Sequence, residues 1–432
     1  MFRDHYMTIK IRFSNKAISS SGGLVFFQNL IEKSELLGHL EEALPSLKIK
    51  PKVTSFDKFK ALMLGLIQGA DCLDDMNQCQ ADPVFQQVSE GHLSPTTYGN
   101  FLRSFDKPMI SKLGKSLMSH TFELHKKLNP SGPLIFDIDS SSHIQHGLKM
   151  EGLSINYLGD RCLDSLQVFD QFGLAYHLNV REGATFTAQN APFVIEELGR
   201  VVSKNNKTHD RIVRADSGFS NNQVFEACEH AGFDFVIAMR ENLYAPLFRR
   251  RIEWKKPRNQ IFIDEGVEFG EGVYHSKLCG KLYRVVLMRK PITGPRPLFE
   301  DAKWEYYGWV TSISSANLKA EDVILFYRKR GHAENFIREM KNGFDLHHFP
   351  CQKLDANRVY GIIAAFAYNF MRFLSLITSS GKIEFAKKLR FRLVNLAAQV
   401  VRQARQTVIV FPKHLEEEVN RCVMNINRLG LG

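Results

Sequence analysis

The stretch from residue 134 to residue 239 constrains the fold most, because strand-like and helical runs alternate along it. A β-hairpin pattern follows a first apolar run, and short strands and helices then take turns. In chain order the runs are Leu134–Phe136, Cys162–Phe169, Leu174–Val180, a helix over Ala191–Val202, Arg211–Ala215, a helix over Asn222–Ala231, and Phe233–Met239. This order predicts an α/β fold, with a mixed sheet and helices packed on its faces.

Acidic residues directly follow two of these predicted strands. Asp137 and Asp139 come after the run at 134–136, and Asp216 comes after the run at 211–215. In extended backbone Asp137 and Asp139 point to the same side, so either one could be a ligand with the other as its neighbour. A single Asp at a strand end is more often a turn former or a helix cap. Their joint placement at strand ends favours a shared site.

A later segment, residues 327–341, has the spacing of one helical face. At about 100° per residue, Tyr327, Arg330, Glu334 and Lys341 fall within a sector of roughly 60°. The adjoining sector is apolar and contains Phe336, Ile337, Met340 and Phe344. The polar face presents a carboxylate flanked by two cations and a phenol. Such a face is typical of a solvated helix with ion pairs, and equally of a divalent-metal site beside phosphates.

Two residues of this segment carry secondary predictions. Gly331 is a poor helix former and marks a position where the helix could begin. Glu339 is rotated well away from the face that contains Tyr327, so we expect it to be an ordinary surface carboxylate.

Asp139, Asp216 and Glu334 together predict a site for hard, oxygen-seeking ions such as Mg²⁺ or Mn²⁺. Zinc is a poorer fit, because His143 and His146 lie in a predicted polar loop without a further ligand. The pair at 347–348 is expected to cap or follow the helix that carries Glu334.

Composition narrows the class of protein and its partners. The 432 residues are 44% hydrophobic, enough for a real core, and 57 Lys and Arg against 46 Asp and Glu give a net charge of +11. This balance favours a polyanionic partner, either nucleic acid or an anionic membrane. The seven cysteines are odd in number and lack a C-x-x-C pair, which favours a reducing compartment.

Neither secretion nor a membrane span is expected. The sequence begins Met1-Phe-Arg-Asp-His without an apolar targeting segment. The most apolar stretch, 361–378, is interrupted by Asn369 and Arg372, so a buried helix explains it better than a membrane span. A cytoplasmic location follows as an expectation.

Changes in composition and in hydrophobic pattern divide the chain into four parts. Residues 1–130 are mostly helical in pattern, and the turn cluster Asn129–Pro133 ends them. A core over 131–240 and 304–380 is interrupted at 241–303 by a basic, β-rich insertion, and 381–432 is predicted to be a basic helical region. The helix after Ser94 could be an ordinary bundle helix or a DNA-contacting one.

With these motifs the sequence resembles the DDE transposases of bacterial insertion sequences that carry the Y-R-E-K signature, Tyr-x2-Arg-x3-Glu-x6-Lys. Tyr327, Arg330, Glu334 and Lys341 match that spacing without a gap. The Asp139-Ser-Ser and Asp216-Ser-Gly-Phe blocks resemble the first and second catalytic aspartate motifs of the family. Asp139 is preferred to Asp137 because small hydroxyl residues follow it.

The resemblance implies an RNase H-like core in which Asp139, Asp216 and Glu334 hold two Mg²⁺ or Mn²⁺ ions for phosphodiester cleavage and joining. It also implies that Arg330 and Lys341 grip DNA phosphates and that Tyr327 helps to position them. The 1–130 region would bind the transposon ends. The partner would be double-stranded DNA, both transposon ends and target, bound by a homodimer that forms on the DNA.

Two further points stay open. Some relatives stack a tryptophan of the insertion on a flipped base, and the candidates for this role are Trp254, Trp304, Tyr307 and Trp309. A metal-dependent nuclease that cuts without joining, and a non-catalytic DNA-binding descendant, are the alternative functions.

Overall fold

A computed structural model of the chain describes residues 11, 13–46, 52–156, 158–205, 210–245, 247, 252–257, 266–276, 280–292, 304–379 and 384–429. The sequence also has a strand-like stretch at 8–13 and, within the basic insertion, an arginine cluster at Arg249–Arg251 and a β-leaning run at 260–263; most of the first and all of the other two lie outside these ranges. The pattern at 291–297 is described only to residue 292.

Seven helices precede the sheet in the described part of the N-terminal region. They are α1 (Leu24–Lys33), α2 (Leu36–Leu40), α3 (Ser55–Gln68), α4 (Met76–Ala81), α5 (Phe85–Val88), α6 (Pro95–Arg103) and α7 (Lys107–Leu128). A two-residue strand, β1 (Ile18–Ser19), comes before them. In α6 the Ser94 side chain accepts a hydrogen bond from the Thr97 amide, so Ser94 caps this helix and Pro95 takes its first position.

The central sheet contains nine strands. They are β2 (Leu134–Ile144), β3 (Ser154–Ile155), β4 (Arg161–Asp170), β5 (Ala175–Glu182), β6 (Arg211–Ala215), β7 (Asp234–Ala238), β8 (Glu268–His275), β9 (Leu282–Pro291) and β10 (Trp304–Thr311). Helices α8 (Ala191–Asn205), α9 (Asn222–His230) and α10 (Glu241–Tyr244) lie between its strands in the sequence. The predicted alternation of strands and helices over 134–239 is therefore confirmed.

Strand order confirms the predicted fold class. Strands β4 and β5 form an antiparallel hairpin beside β2, and β6 and β7 follow in parallel on the other side of β2. The order β5-β4-β2-β6-β7 is that of an RNase H-like core. Strand β10 then pairs antiparallel with β7, and β9 and β8 continue outward. The described strands of the 241–303 segment thus extend the main sheet, and α8 and α9 pack together beside it.

Strand β2 is longer than the sequence indicated. It continues through Asp139 to Ile144, because antiparallel pairing with β4 carries on beyond the apolar run. The expected loop location of His143 is therefore wrong. His143 lies in β2, fully buried, with hydrogen bonds of 2.7 Å to the Leu346 carbonyl and to the Ser165 hydroxyl.

Helices continue the chain after β10. They are α11 (Ala320–Arg328), α12 (Gly331–Gly343), α13 (Leu354–Thr378), α14 (Ala386–Leu389) and α15 (Glu416–Arg428). The single helix expected over 327–341 is wrong, since it is divided at residues 329–330. The new helix begins at Gly331, the weak point that the sequence marked.

Helix α13 satisfies the length and composition of a membrane span, yet 89% of its most apolar window is buried inside the protein. It packs against α3, α7 and β5. Its polar residue Asn369 is buried and bonds the Ala175 amide and carbonyl at 2.7 and 2.8 Å. This helix is therefore the central core element predicted from its interrupted apolar pattern.

The C-terminal region is not wholly helical, which corrects the prediction for 381–432. Strands β11 (Ala398–Gln403) and β12 (Gln406–Val410) form a hairpin, and β11 also pairs with β1. Ala404 and Arg405 adopt positive φ at the turn. The β-branched residues of both strands favour sheet over helix and outweigh the basic amphipathic pattern.

Arg390 connects this C-terminal region to two other parts of the fold. Its guanidinium donates to the carbonyls of Ile67 and Leu66 at 2.9 and 2.7 Å, at the end of α3, and also to the Gly343 carbonyl at the end of α12. A cation here satisfies carbonyls that have no partner within their helices.

We expect Arg390→Ala to lower the free energy of unfolding by about 2–3 kcal/mol, since it leaves partly buried carbonyls without a donor. Urea unfolding followed by circular dichroism measures this change. Arg402→Ala, on the exposed hairpin, is the matched control and should change it by about 0.5 kcal/mol or less. Equal effects of the two substitutions would contradict the bridging role of Arg390.

Candidate active site

Two carboxylates meet where parallel strands β2 and β6 stop pairing. Ile138 of β2 lies opposite Ala215 of β6, so Asp139 and Asp216 are the next residues on the two strands. Beyond this point β2 continues beside β4 alone, whereas the chain after β6 turns away. Each aspartate directly follows the part of its strand that pairs with the other strand. The lengths of the two short strand segments therefore bring both aspartates to the same position in the sheet.

Glu334 lies in the first turn of α12, near the other two carboxylates, and its side chain is exposed. Its negative charge and that of Asp216 both act on Asp139. The pKa of Asp139 is raised to about 6, chiefly by burial, with the charges of Asp216 and Glu334 adding to the increase and Arg330 opposing it. The structure therefore brings the three predicted carboxylates into one electrostatic neighbourhood.

Arg330 is the resident cation of this neighbourhood. Its Nη2 atom lies 2.9 Å from Oδ2 of Asp139 and 3.4 Å from the Ile138 carbonyl, and the residue is only 7% exposed. Arg330 precedes the first residue of α12, so the division between α11 and α12 turns its side chain inward. The guanidinium is thus paired with Asp139 rather than presented on a solvated helix face.

Asp137, the alternative first ligand, is fully engaged elsewhere. Its two carboxylate oxygens accept hydrogen bonds of 2.7 and 2.8 Å from Arg214, its register partner on β6. Both residues are buried, and Arg214 also donates to the Phe326 carbonyl and lies over the Phe326 ring. Asp137 is therefore part of a buried ion pair that joins the sheet to α11.

Tyr327 and Lys341 both interact electrostatically with Asp139. Tyr327 lies in the last turn of α11, and burial raises the pKa of its phenol to about 12, with Arg330 opposing and Asp216 adding to the increase. Lys341 donates to the Ser142 carbonyl at 2.6 Å, and burial lowers the pKa of its amine against the opposing charges of Asp164 and Asp139. All four residues of the spaced motif thus interact electrostatically with Asp139, although two helices and the break between them contribute them.

The four aromatic candidates divide between the two faces of the outer sheet. Trp254 and Trp304 enclose the Arg289 guanidinium, which lies 4.3 and 4.2 Å from their ring centroids. Trp309 is 5% exposed, and its ring centroid lies 5.6 Å from that of Tyr327. The Tyr307 ring stacks on Trp309 with 6.4 Å between the ring centroids. Trp309 is therefore a core residue, whereas Trp254 and Trp304 are half-buried.

Sequence reasoning missed several polar residues that support the site. The sequence did contain a signal for the role of Arg214, because a charged residue inside a strand of the core needs a buried partner of opposite charge. Asp164 and Arg181 form a buried ion pair across β4 and β5. Burial raises the pKa of Asp164 to about 6 against the opposing charge of Arg181.

The prediction that Glu339 is an ordinary surface carboxylate is wrong. Glu339 is half-buried and accepts a hydrogen bond from the Ala386 amide.

A family model described as "Transposase DDE domain group 1" matches residues 2–431. The chain belongs to this family. It is accordingly a DDE-type transposase, an enzyme of DNA transposition.

Two other comparisons were made for this DDE transposase. A search of curated proteins gave no match. Among solved structures, the piggyBac transposase synaptic complex with hairpin DNA is similar, with 13% sequence identity and a TM-score of 0.44. The similarity covers 88% of this chain and 82% of that chain.

Proposed function

We propose that this transposase binds the terminal inverted repeats of its element, cleaves the DNA at their ends, and joins the ends to target DNA by metal-dependent phosphoryl transfer. The convergence of Asp139, Asp216 and Glu334 beside a sheet edge is the observation that carries this proposal. Three carboxylates acting on one another in a basic protein suit cations that bind phosphates.

The donor set fits Mg²⁺ or Mn²⁺ in chemistry. Its oxygens are hard ligands, and a guanidinium already stands beside Asp139 as the positive charge that the site requires. Among the described residues, no three His, Cys, Asp or Glu side chains are close enough to hold an ion together. Metal binding in this proposal therefore requires the three carboxylates to move closer together, and Asp139 to exchange its contact with Arg330 for the ion.

We assign Asp139, Asp216 and Glu334 as the ligands of two metal ions. When bound, the ions supply the Lewis acidity that activates an attacking oxygen and stabilises the leaving oxygen. Arg330, once displaced from Asp139, is placed to neutralise a phosphate beside the carboxylates. Lys341 bonds the Ser142 carbonyl on the same strand as Asp139, and we assign it to a DNA phosphate as well. Tyr327, packed on Trp309, is assigned to help position these phosphates.

Double-stranded DNA is the partner in this proposal. Its phosphates match the net charge of +11. Helix α6 offers an exposed polar side, where Arg103 donates to Asn100 at 2.7 Å, and we assign it to recognition of transposon ends. Joining requires two ends at once, so we propose a homodimer assembled on DNA, acting on chromosomal DNA in the cytoplasm.

The decisive experiment incubates the purified transposase with labelled DNA carrying the inverted repeats that flank its gene, and with a supercoiled target plasmid. We expect Mg²⁺-dependent cleavage at the repeat ends and covalently joined products, and EDTA should abolish both. Cleavage without joining would favour the nuclease alternative. Binding without cleavage in Mg²⁺ or Mn²⁺ would favour a non-catalytic descendant and refute the proposal.

Acidic pH should weaken metal binding through Asp139. Its raised pKa, about 6, means that the carboxylate form predominates only above that pH, and a protonated carboxyl is a poor ligand. We expect Mn²⁺ affinity of the free protein to fall by up to about tenfold per pH unit below 6. Titrations followed by electron paramagnetic resonance between pH 5 and 8 measure it, and a constant affinity over this range would contradict the prediction.

A further inference from the structure

The turn that follows β6 fixes one oxygen of Asp216. Asp216 caps a 3-10 turn over Ser217–Phe219, and its Oδ1 atom accepts a hydrogen bond of 2.9 Å from the Gly218 amide. Among the residues that the structure describes, its Oδ2 atom has no hydrogen-bond partner. The orientation of this free oxygen therefore depends on how firmly the turn is held.

Arg240 holds the turn from the neighbouring strand. Strand β7 lies parallel to β6, with Ile237 opposite Ala215, so residues just beyond the two strands lie at the same sheet edge. From this position the Nε atom of Arg240 donates to the Ser217 carbonyl at 3.0 Å, and its Nη2 atom donates to the Gly218 carbonyl at 2.9 Å. Two donors of one planar group thus bind two successive carbonyls.

The loop before α8 closes around the same turn. The Phe186 ring lies 5.5 Å from the Arg240 guanidinium. A Cβ atom on Gly218 would meet the Thr187 methyl at 2.7 Å, so the loop lies against the turn without spare room. Arg181 fixes this loop by donating to the carbonyls of Thr187 and Gln189 at 3.2 and 2.8 Å.

We propose that Arg240 is a positioning residue that orients Asp216 through the carbonyls of Ser217 and Gly218. The inference rests on the proposed role of Asp216 as a metal ligand and adds a residue that acts on that ligand. Arg240 does not touch Asp216 itself. Residues that orient a ligand in this way contribute about 10- to 100-fold to metal affinity or activity.

A phosphate contact is the rival role for a cation at this edge, and the two roles respond differently to lysine. Lysine keeps the positive charge, but its single ammonium cannot reproduce the fork that spans two carbonyls. A positioning role therefore predicts that Arg240→Lys lowers Mn²⁺ affinity as Arg240→Ala does. A phosphate role predicts that Arg240→Lys keeps the DNA binding that Arg240→Ala loses.

The test compares Arg240→Ala, Arg240→Lys and the exposed, charge-conserving control Arg402→Lys in the full-length protein. We expect Mn²⁺ affinity, measured without DNA by electron paramagnetic resonance, to fall about tenfold or more in both Arg240 variants and to stay unchanged in the control. DNA binding in EDTA should change less than about twofold at all salt concentrations, since no phosphate contact is lost. Restored Mn²⁺ affinity in Arg240→Lys, or unchanged affinity in Arg240→Ala, would overturn the proposal.

Amide hydrogen exchange separates failure of this inference from failure of the proposed function. Exchange over residues 216–219 should accelerate in both Arg240 variants, whatever the ligand role of Asp216. Unchanged exchange overturns the positioning role of Arg240. Accelerated exchange, in a protein whose Mn²⁺ affinity is insensitive to Asp216→Ala, would instead overturn the assignment of Asp216 as a ligand.

Discussion

Replacing Asp216 by Ala should abolish Mg²⁺-dependent cleavage of terminal-repeat DNA, with a rate loss of about 10³-fold or more. A loss of that size corresponds to about 4 kcal/mol of barrier, the scale on which a metal stabilises charge in phosphoryl transfer. Glu334→Ala should behave in the same way. Both side chains lie near the surface, so each truncation leaves little buried space and the fold should persist.

Single-turnover cleavage of end-labelled DNA measures this loss, and gel-shift titration in EDTA measures binding. Binding should remain within about threefold of wild type, because neither carboxylate contributes positive charge. Glu417→Ala, on the exposed side of α15, is a matched control and should cleave normally. Substantial cleavage by either the Asp216 or the Glu334 variant would rule out the proposed ligand set.

Asp137→Ala should instead destabilise the protein, by about 3–5 kcal/mol. Removing this carboxylate leaves the Arg214 guanidinium buried without its partner, and uncompensated buried charge is costly. Thermal unfolding followed by circular dichroism provides the measurement. Asp139→Ala is the informative comparison, because Arg330 is also buried but keeps a contact of 3.4 Å with the Ile138 carbonyl when Asp139 is removed.

We expect Asp139→Ala to lower the stability less than Asp137→Ala does, because it breaks one contact to the guanidinium rather than two, and to abolish cleavage. Asp137→Asn should recover part of the lost stability, since an amide oxygen can still accept one hydrogen bond from Arg214. A stable but inactive Asp137→Ala protein, together with an active Asp139→Ala protein, would reverse the assignment of the first ligand.

Local patterns were sufficient to predict the catalytic half of the sheet. The short runs at 134–136 and 211–215 predicted strands β2 and β6 and placed Asp139 and Asp216 just beyond them. Strand β2 in fact continues through Asp139, but its parallel pairing with β6 does stop at Ile138 and Ala215. Parallel neighbours then bring such ends together without further information. The turn at 170–173 likewise predicted the hairpin, because its Gly173 adopts positive φ.

Features that depend on distant partners could not be predicted in this way. The polar stretch that starts at His143 was predicted to be a loop, but pairing with β4 and a hydrogen bond to the α12–α13 connection keep His143 in strand β2. The helical spacing of Tyr327 and Glu334 fitted one helix, whereas the Asp139 carboxylate holds Arg330 at a break between two. Tertiary contacts outweighed propensity in both places.

The pairing of β1 with β11 has a consequence for the order in which the chain acquires its structure. Ile18 lies opposite Gln399, so the two paired strands are far apart in the sequence. A nascent chain cannot form this sheet until the segment that contains Gln399 has left the ribosome, and contacts of such separation form slowly. We therefore expect the helical region around α1 to be completed last, after the catalytic sheet has formed.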